Sequence, residues 1–175
     1  MTLVALLRGI NVGSHVVKMD RLRALFEGLG FDAVRTFIAS GNVIFSTNAR
    51  GVPALERKIE RHLGGALGFE VPTFLRTAGE LGAVARYQPS SQAEGGALYV
   101  GFLSAPPGRD GTCKVQALGS ATEVLHVHGR ELYFHITGPV SESVMFRAPI
   151  EKTLGLRMTT RNATTVRKLA AMIGS

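Results

Sequence analysis

"AVRTFIASGNVIFST", residues 33–47, decides how the rest of the chain is read. Two runs rich in β-branched and aromatic residues, Ala33–Ala39 and Asn42–Thr47, flank Ser40-Gly41-Asn42. That is the pattern of a β-hairpin. On its N-terminal side lies "KMDRLRALFEGLG", residues 18–30, in which Met19, Leu22, Leu25, Phe26 and Leu29 recur at helical spacing and Gly30 supplies a stop. Before it, Leu3–Leu7 reads as a continuous apolar strand. On the C-terminal side, Pro53 suits the first turn of a helix carrying Leu55, Ile59, Leu63 and Leu67 on one stripe. "EVPTFLR", residues 70–76, is a fourth strand. The predicted order is β-α-β-β-α-β.

Thr77 and Glu80 form a T-x-x-E capping box that starts a short linking helix. "QPSSQAEGG", residues 88–96, is polar and glycine-rich and marks a boundary. The same order then returns. "ALYVGFLS" is a strand, "RDGTCKVQALG" a weak helix, and "EVLHVHGRELYFHI" a hairpin turning at Gly129-Arg130. "SESVMFRAPIEKTLG" is helical with a break at Pro149, where a proline removes a hydrogen bond and clashes with the preceding turn. "LRMTT" is a last strand, and "ATTVRKLAAMI" a helix capped by Asn162 with Val166, Leu169, Ala170 and Ile173 on one face. The expected fold is α+β: a tandem duplication of two ferredoxin-like β-α-β-β-α-β subdomains plus a C-terminal helix. The expected divisions are 1–76 for the first subdomain, 77–96 for the link, and 97–175 for the second with its terminal helix.

Composition narrows the function classes. The chain has 175 residues, 45% of them hydrophobic, enough for a compact unit or two small subdomains. Its single cysteine, Cys113, excludes an intramolecular disulfide and a cysteine-rich zinc site and suits a reducing cytoplasm. The short N-terminal apolar run ends at Arg8 without a preceding basic region, so it reads as a strand and not as a signal peptide. No segment approaches the roughly 20 apolar residues that cross a bilayer, and no membrane partner is expected. The formal charge of +7 favours anionic partners: nucleic acid, nucleotides or phosphorylated metabolites.

Taken together, "ALLRGINVGS", "VKMDRLRALFEGLGF", "VRTFIASGNVIF", "HGRELYFH", "IEKTLG" and "TTRNATTVRKLA" resemble the bacterial family known as domain of unknown function 1697. The resemblance runs along nearly the whole chain. It implies two similar α+β subdomains and carries no established activity. The chain departs from the family pattern at Ser14, where a second glycine is usual. It departs again at Ser143-Val144-Met145, in place of serine-lysine-leucine, and at Ala163, often aromatic.

The strongest candidate site is "LLRGINVGS". With ferredoxin-like order, the first and third strands are antiparallel neighbours, which brings Arg8 and Gly9 towards Asn42 and the hairpin at Ser40. The start of the first helix, near Lys18, points to the same edge. Glycines allow close backbone approach, and a helix N-terminus presents free N–H groups and partial positive charge. The connection from Gly9 to Lys18 is longer than the usual link of about 2–6 residues. Arg8, Gly9, Asn11, Gly13, Lys18, Ser40 and Asn42 are therefore the expected binding residues for a phosphate-bearing small molecule or nucleotide. Arg161 and Asn162, in "TTRNATTVRK", are candidates for a second wall. The competing reading is that the glycines only satisfy backbone angles and Asn42 only closes a turn. The stretch is neither a P-loop nor a dinucleotide fingerprint, and no cofactor is expected.

The second hairpin places His126, His128, His135, Glu131 and Tyr133 on one face and Leu125, Val127, Leu132, Phe134 and Ile136 on the other. The histidines are too spread along the strands to predict a metal site, and a solvated or subdomain-contact face is the expected reading. Base stacking on Tyr99 and Tyr133 is a further alternative, without the signature of an RNA-recognition module. Catalysis on an anionic ligand at the Arg8–Asn42 edge and a protein-interaction role for the open sheet face complete the alternatives. No nucleophile–base set is legible.

Overall fold

The computed structural model describes residues 1–89 and 95–174. The chain divides into two compact units: Met1–Gly82 together with the chain from Leu169 onward, and Ala83–Lys168. The boundary stretch read at 88–96 lies partly outside the described residues.

The first unit contains β1 (Thr2–Leu7), α1 (Met19–Glu27), β2 (Asp32–Phe37), β3 (Asn42–Ser46), α2 (Val52–Leu67) and β4 (Thr73–Thr77). Its sheet has the order β2-β3-β1-β4, with all neighbours antiparallel. β1 is central, which explains its unbroken apolar run, because both of its faces are buried. Leu3, Ala5 and Leu7 share a core with Leu22 and Phe26 of α1 and Leu55, Ile59 and Leu63 of α2. Phe26, Phe31 and Phe45 meet within it, the Phe31 and Phe45 rings stacked at 4.4 Å. Gly68 ends α2 in the left-handed conformation.

The hairpin that decides the fold is present, with one correction. β2 stops at Phe37, which pairs with Asn42, so the turn is Ile38–Gly41 rather than Ser40-Gly41-Asn42. Ile38 has φ +50°, a conformation that interrupts a strand and that a β-branched residue rarely adopts. β2 also carries a register shift between Asp32 and Arg35, where Ala33 takes φ +50°.

α3 (Ala78–Arg86) starts at the expected capping box. Thr77 N–H donates to Glu80 Oε2 at 2.8 Å, and Glu80 N–H donates to Thr77 Oγ1 at 3.2 Å. The division between units falls within this helix.

The second unit contains β5 (Ala97–Leu103), α4 (Arg109–Gln116), β6 (Glu123–His128), β7 (Glu131–Ile136), a 3₁₀ turn (Val140–Glu142), α5 (Val144–Arg147), α6 (Ile150–Leu154) and β8 (Met158–Asn162). Its antiparallel sheet has the order β6-β7-β5-β8. Pro149 breaks the helical stretch as expected: α5 ends before it, and α6 begins after it and ends at Gly155, φ +65°. Glu123 fixes the start of α5. Its buried carboxylate accepts from Ser143 Oγ and, at 2.9 Å, from Val144 N–H, while Ser143 Oγ accepts from Met145 N–H at 3.0 Å. α7 (Ala163–Ile173) follows, with Asn162 Oδ1 accepting from Thr164 N–H at 2.7 Å.

The two sheets share their registers. Leu7 opposes Thr73 and Val4 opposes Arg76; Leu103 opposes Met158 and Val100 opposes Arg161. Both arginines are buried, and each donates from Nη1 to the carbonyl of the residue before it, at 2.9 Å to Leu75 and 2.8 Å to Thr160. Leu6 opposes Asn42 as Phe102 opposes Glu131, both of these polar residues being buried. No helix among the described residues is long and apolar enough to cross a membrane.

Candidate functional site

The loop between β1 and α1 is a built structure. At its start, Leu7 N–H donates to Gly41 O at 2.8 Å and Arg8 N–H to Pro72 O at 2.9 Å. These bonds hold the chain between the β2–β3 turn and the segment before β4. Gly9 and Gly13 take φ +77° and +58°, and Asn11 takes +56°, which asparagine tolerates better than most residues. Ile10 and Val17 are buried beneath the loop. Asn11 is its main tie. Its Nδ2 donates to Ala39 O and its Oδ1 accepts from Val17 N–H, both at 2.7 Å, while its backbone N–H donates to His15 O at 2.8 Å. His15 lies flat on Phe69, with ring centroids 3.9 Å apart and 2° between planes. The 69–72 segment thus anchors both the start and the tip of the loop.

Arg8 and Lys18, at the two ends, are exposed, as are Val12, Gly13, Ser14, His15 and Val16. Lys18 caps α1 with extended backbone and no side-chain cap bond. Ser40 and Asn42 are brought together: Asn42 Nδ2 donates to Ser40 Oγ at 2.9 Å and to Phe37 O at 3.1 Å. Asn42 is fully buried, so its amide closes the hairpin instead of projecting from the edge. Arg161 and Asn162 belong to the second unit. Arg161 is buried and donates to Thr159 Oγ1 as well as to Thr160 O; desolvation pushes its pKa down to about 10. It still carries its charge at neutral pH. Asn162 caps α7.

The histidine face of the second unit follows the expected pairing: His126 opposes Tyr133 and His128 opposes Glu131. It is not an open solvated face. Tyr133, His135 and Glu131 are buried, and Tyr87 lies across the strands. The Tyr87 hydroxyl is 2.7 Å from His126 Nε2, and its ring stacks on His128 at 4.0 Å and contacts Tyr133 at 4.9 Å. His135 Nε2 meets Gly95 O at 2.7 Å. No group of three or more potential metal ligands occurs among the described residues. Tyr99 does not share a face with Tyr133. It opposes Phe134 and packs against the helix-covered core, so these two rings cannot form one stacking platform. Cys113 is exposed on α4, and the neighbouring Lys114 pairs with Asp110 at 2.7 Å.

Sequence reasoning passed over Tyr87, which lies just beyond α3, because its partners are 39 or more residues away. The polar alternation of β6 and β7 marks a face, but nothing local marks what covers it. Tyr87→Phe keeps the ring stack and removes the hydroxyl. Its expected cost is about 1 kcal/mol by chemical denaturation, with a larger loss in Tyr87→Ala.

A family model described as "Protein of unknown function (DUF1697)" matches residues 1–133. The motifs from Ile150 onward lie outside that span. No curated protein matches the chain. Among solved structures, the conserved bacterial protein SP0830 from Streptococcus pneumoniae superposes with a TM-score of 0.80 at 22% identity, covering 99% of this chain and 98% of its own. That likeness speaks to fold alone.

Proposed function

We propose, for a chain that belongs to the DUF1697 family, a cytoplasmic binding protein that takes a phosphate-bearing small molecule or nucleotide on its first unit. The observation that carries this reading is the locked loop from Gly9 to Lys18, with exposed cations at both ends. Arg8 pairs with the anion. The Gly9–Ser14 backbone, Lys18 and the first turn of α1 complete the positive edge. Asn11 holds the loop in place, and Asn42 holds Ser40 and the turn beside it. The net charge of +7 favours the encounter.

The reading extends to the fold. We take the two sheets with their helices as ferredoxin-like subdomains, 1–76 and 97–175, that arose by tandem duplication and are joined through 77–96, with the end of α7, from Leu169, grouping with the first unit. The matched positions of Arg76 with Arg161 and Asn42 with Glu131 support this. The second unit has Ser104 where the first has Arg8, judged by the bonds to Arg157 and Pro72. The site therefore belongs to the first unit only.

Arg8→Ala removes a charge-assisted hydrogen bond and should weaken the affinity for phosphorylated ligands by about 1.5–3 kcal/mol. Titration calorimetry on folded wild type and variant, with a panel of nucleotides and sugar phosphates, measures it. Equal affinities would take Arg8 out of the site. Turnover of a bound ligand that is lost in Arg8→Ala would make the protein an enzyme at this edge.

A further inference from the structure

We infer that the ligand of this loop is a nucleotide, with its base stacked on the outer face of His15. The inference rests on the phosphate-binding reading of the same loop. His15 is an exposed flat ring whose inner face is already seated on Phe69 at 3.9 Å and 2°. Phe69 in turn packs against the core of the first unit. The imidazole is therefore held in one orientation before any ligand arrives, and the ordering cost of a stacking platform is largely met. Its backbone is held as well, by Asn11 N–H to His15 O at 2.8 Å and His15 N–H to Val12 O at 3.1 Å.

The surroundings fit a base better than bare phosphate. Val12 and Val16 flank His15 in sequence and are 66% and 78% exposed, and Ile38, on the turn tied to Asn11 through Ala39, is 51% exposed. Five large hydrophobic residues are exposed among the described residues, and three of them lie on this loop and its neighbouring turn. Ile38 holds its place at φ +50°, an unfavourable conformation for a β-branched side chain. Inorganic phosphate gains nothing from such apolar surface. A heterocycle gains contact from it on its edges and from His15 on its face. Every base has a π-face, so stacking alone admits all four and favours the larger purines.

The test compares three probes on the full chain: inorganic phosphate, ribose 5-phosphate and AMP. Stacking of one base predicts that AMP binds about tenfold or more tightly than ribose 5-phosphate. It also predicts upfield shifts of the His15 ring protons on adding AMP but not ribose 5-phosphate. His15→Ala should abolish the preference for AMP over ribose 5-phosphate, whatever its effect on the loop that both probes share. His15→Phe, which keeps a flat ring on Phe69, should retain the preference. Arg8→Ala should weaken all three probes together. Equal affinities of AMP and ribose 5-phosphate for the wild type would overturn the nucleotide inference and leave the phosphate reading standing. An AMP preference that survives in His15→Ala would overturn it too, because the base would then lie elsewhere. Absence of binding by all three would overturn both.

Discussion

A Gly41→Ala variant is expected to lose about 3 kcal/mol of folding free energy, from left-handed backbone strain and overpacking together. Gly41 sits at φ +76°, and a Cβ there would stand 3.0 Å from Ile10 Cβ and 3.1 Å from Leu7 Cβ. Neither neighbour can retreat easily. Leu7 is in the central strand, with its N–H bonded to Gly41 O, and Ile10 is buried under the β1–α1 loop. Relief would have to come from moving that loop. On the proposed function, the variant should also bind phosphorylated ligands more weakly where enough of it remains folded. Gly65→Ala is the matched control. That site lies in α2 with no atom within 4 Å of the added Cβ, so the change should stabilise by up to about 1 kcal/mol through helix propensity. Urea denaturation of the two variants, followed by circular dichroism, should move the midpoints in opposite directions. A neutral Gly41→Ala would show that the loop yields at little cost, and would weaken the claim that it is a pre-formed site.

Glu123→Ala should be comparably damaging, at about 3 kcal/mol, because it removes the shared acceptor of two donors in a buried setting. Ser143 Oγ and Val144 N–H both depend on that carboxylate, and Ser143 is itself buried. The loss should be local before it is global. Amide exchange should accelerate first at Val144 and Met145, and protease cleavage should appear near the exposed Phe146. Glu123→Gln keeps one oxygen to accept and should cost less. Identical exchange at Val144 in wild type and Glu123→Ala would show that α5 is held by packing alone.

The fold was largely legible because its signals are local. The pairing of His128 with Glu131 follows from alternation plus Gly129. The split of the helical stretch at Pro149 follows from the missing N–H, and the cap at Thr77 from one serviceable hydroxyl and one glutamate. Each involves residues within one turn of helix or one hairpin. What a local window misses is set by distant partners. Asn42 reads as a ligand contact by type, but its burial depends on how β3 is covered, which no window around residue 42 contains. Tyr99 reads as a stacking ring until its register against β7 fixes its face. Of the residues proposed for the site, Arg8, Gly9 and Lys18 stand out by type and spacing, whereas the stack of His15 on Phe69 joins positions 54 residues apart.

β2 forms one margin of the first sheet, and its break between Asp32 and Arg35 determines what a second chain would meet there. A strand that adds to a sheet needs an even row of N–H and C=O groups. Ala33, turned to φ +50°, displaces that row, and regular pairing resumes only over Arg35–Phe37. So short a template, opening on an arginine, gives an incoming strand little to hold. An irregular margin of this kind is a poor template for strand addition, and the backbone that forfeits some pairing inside the molecule is what makes it so.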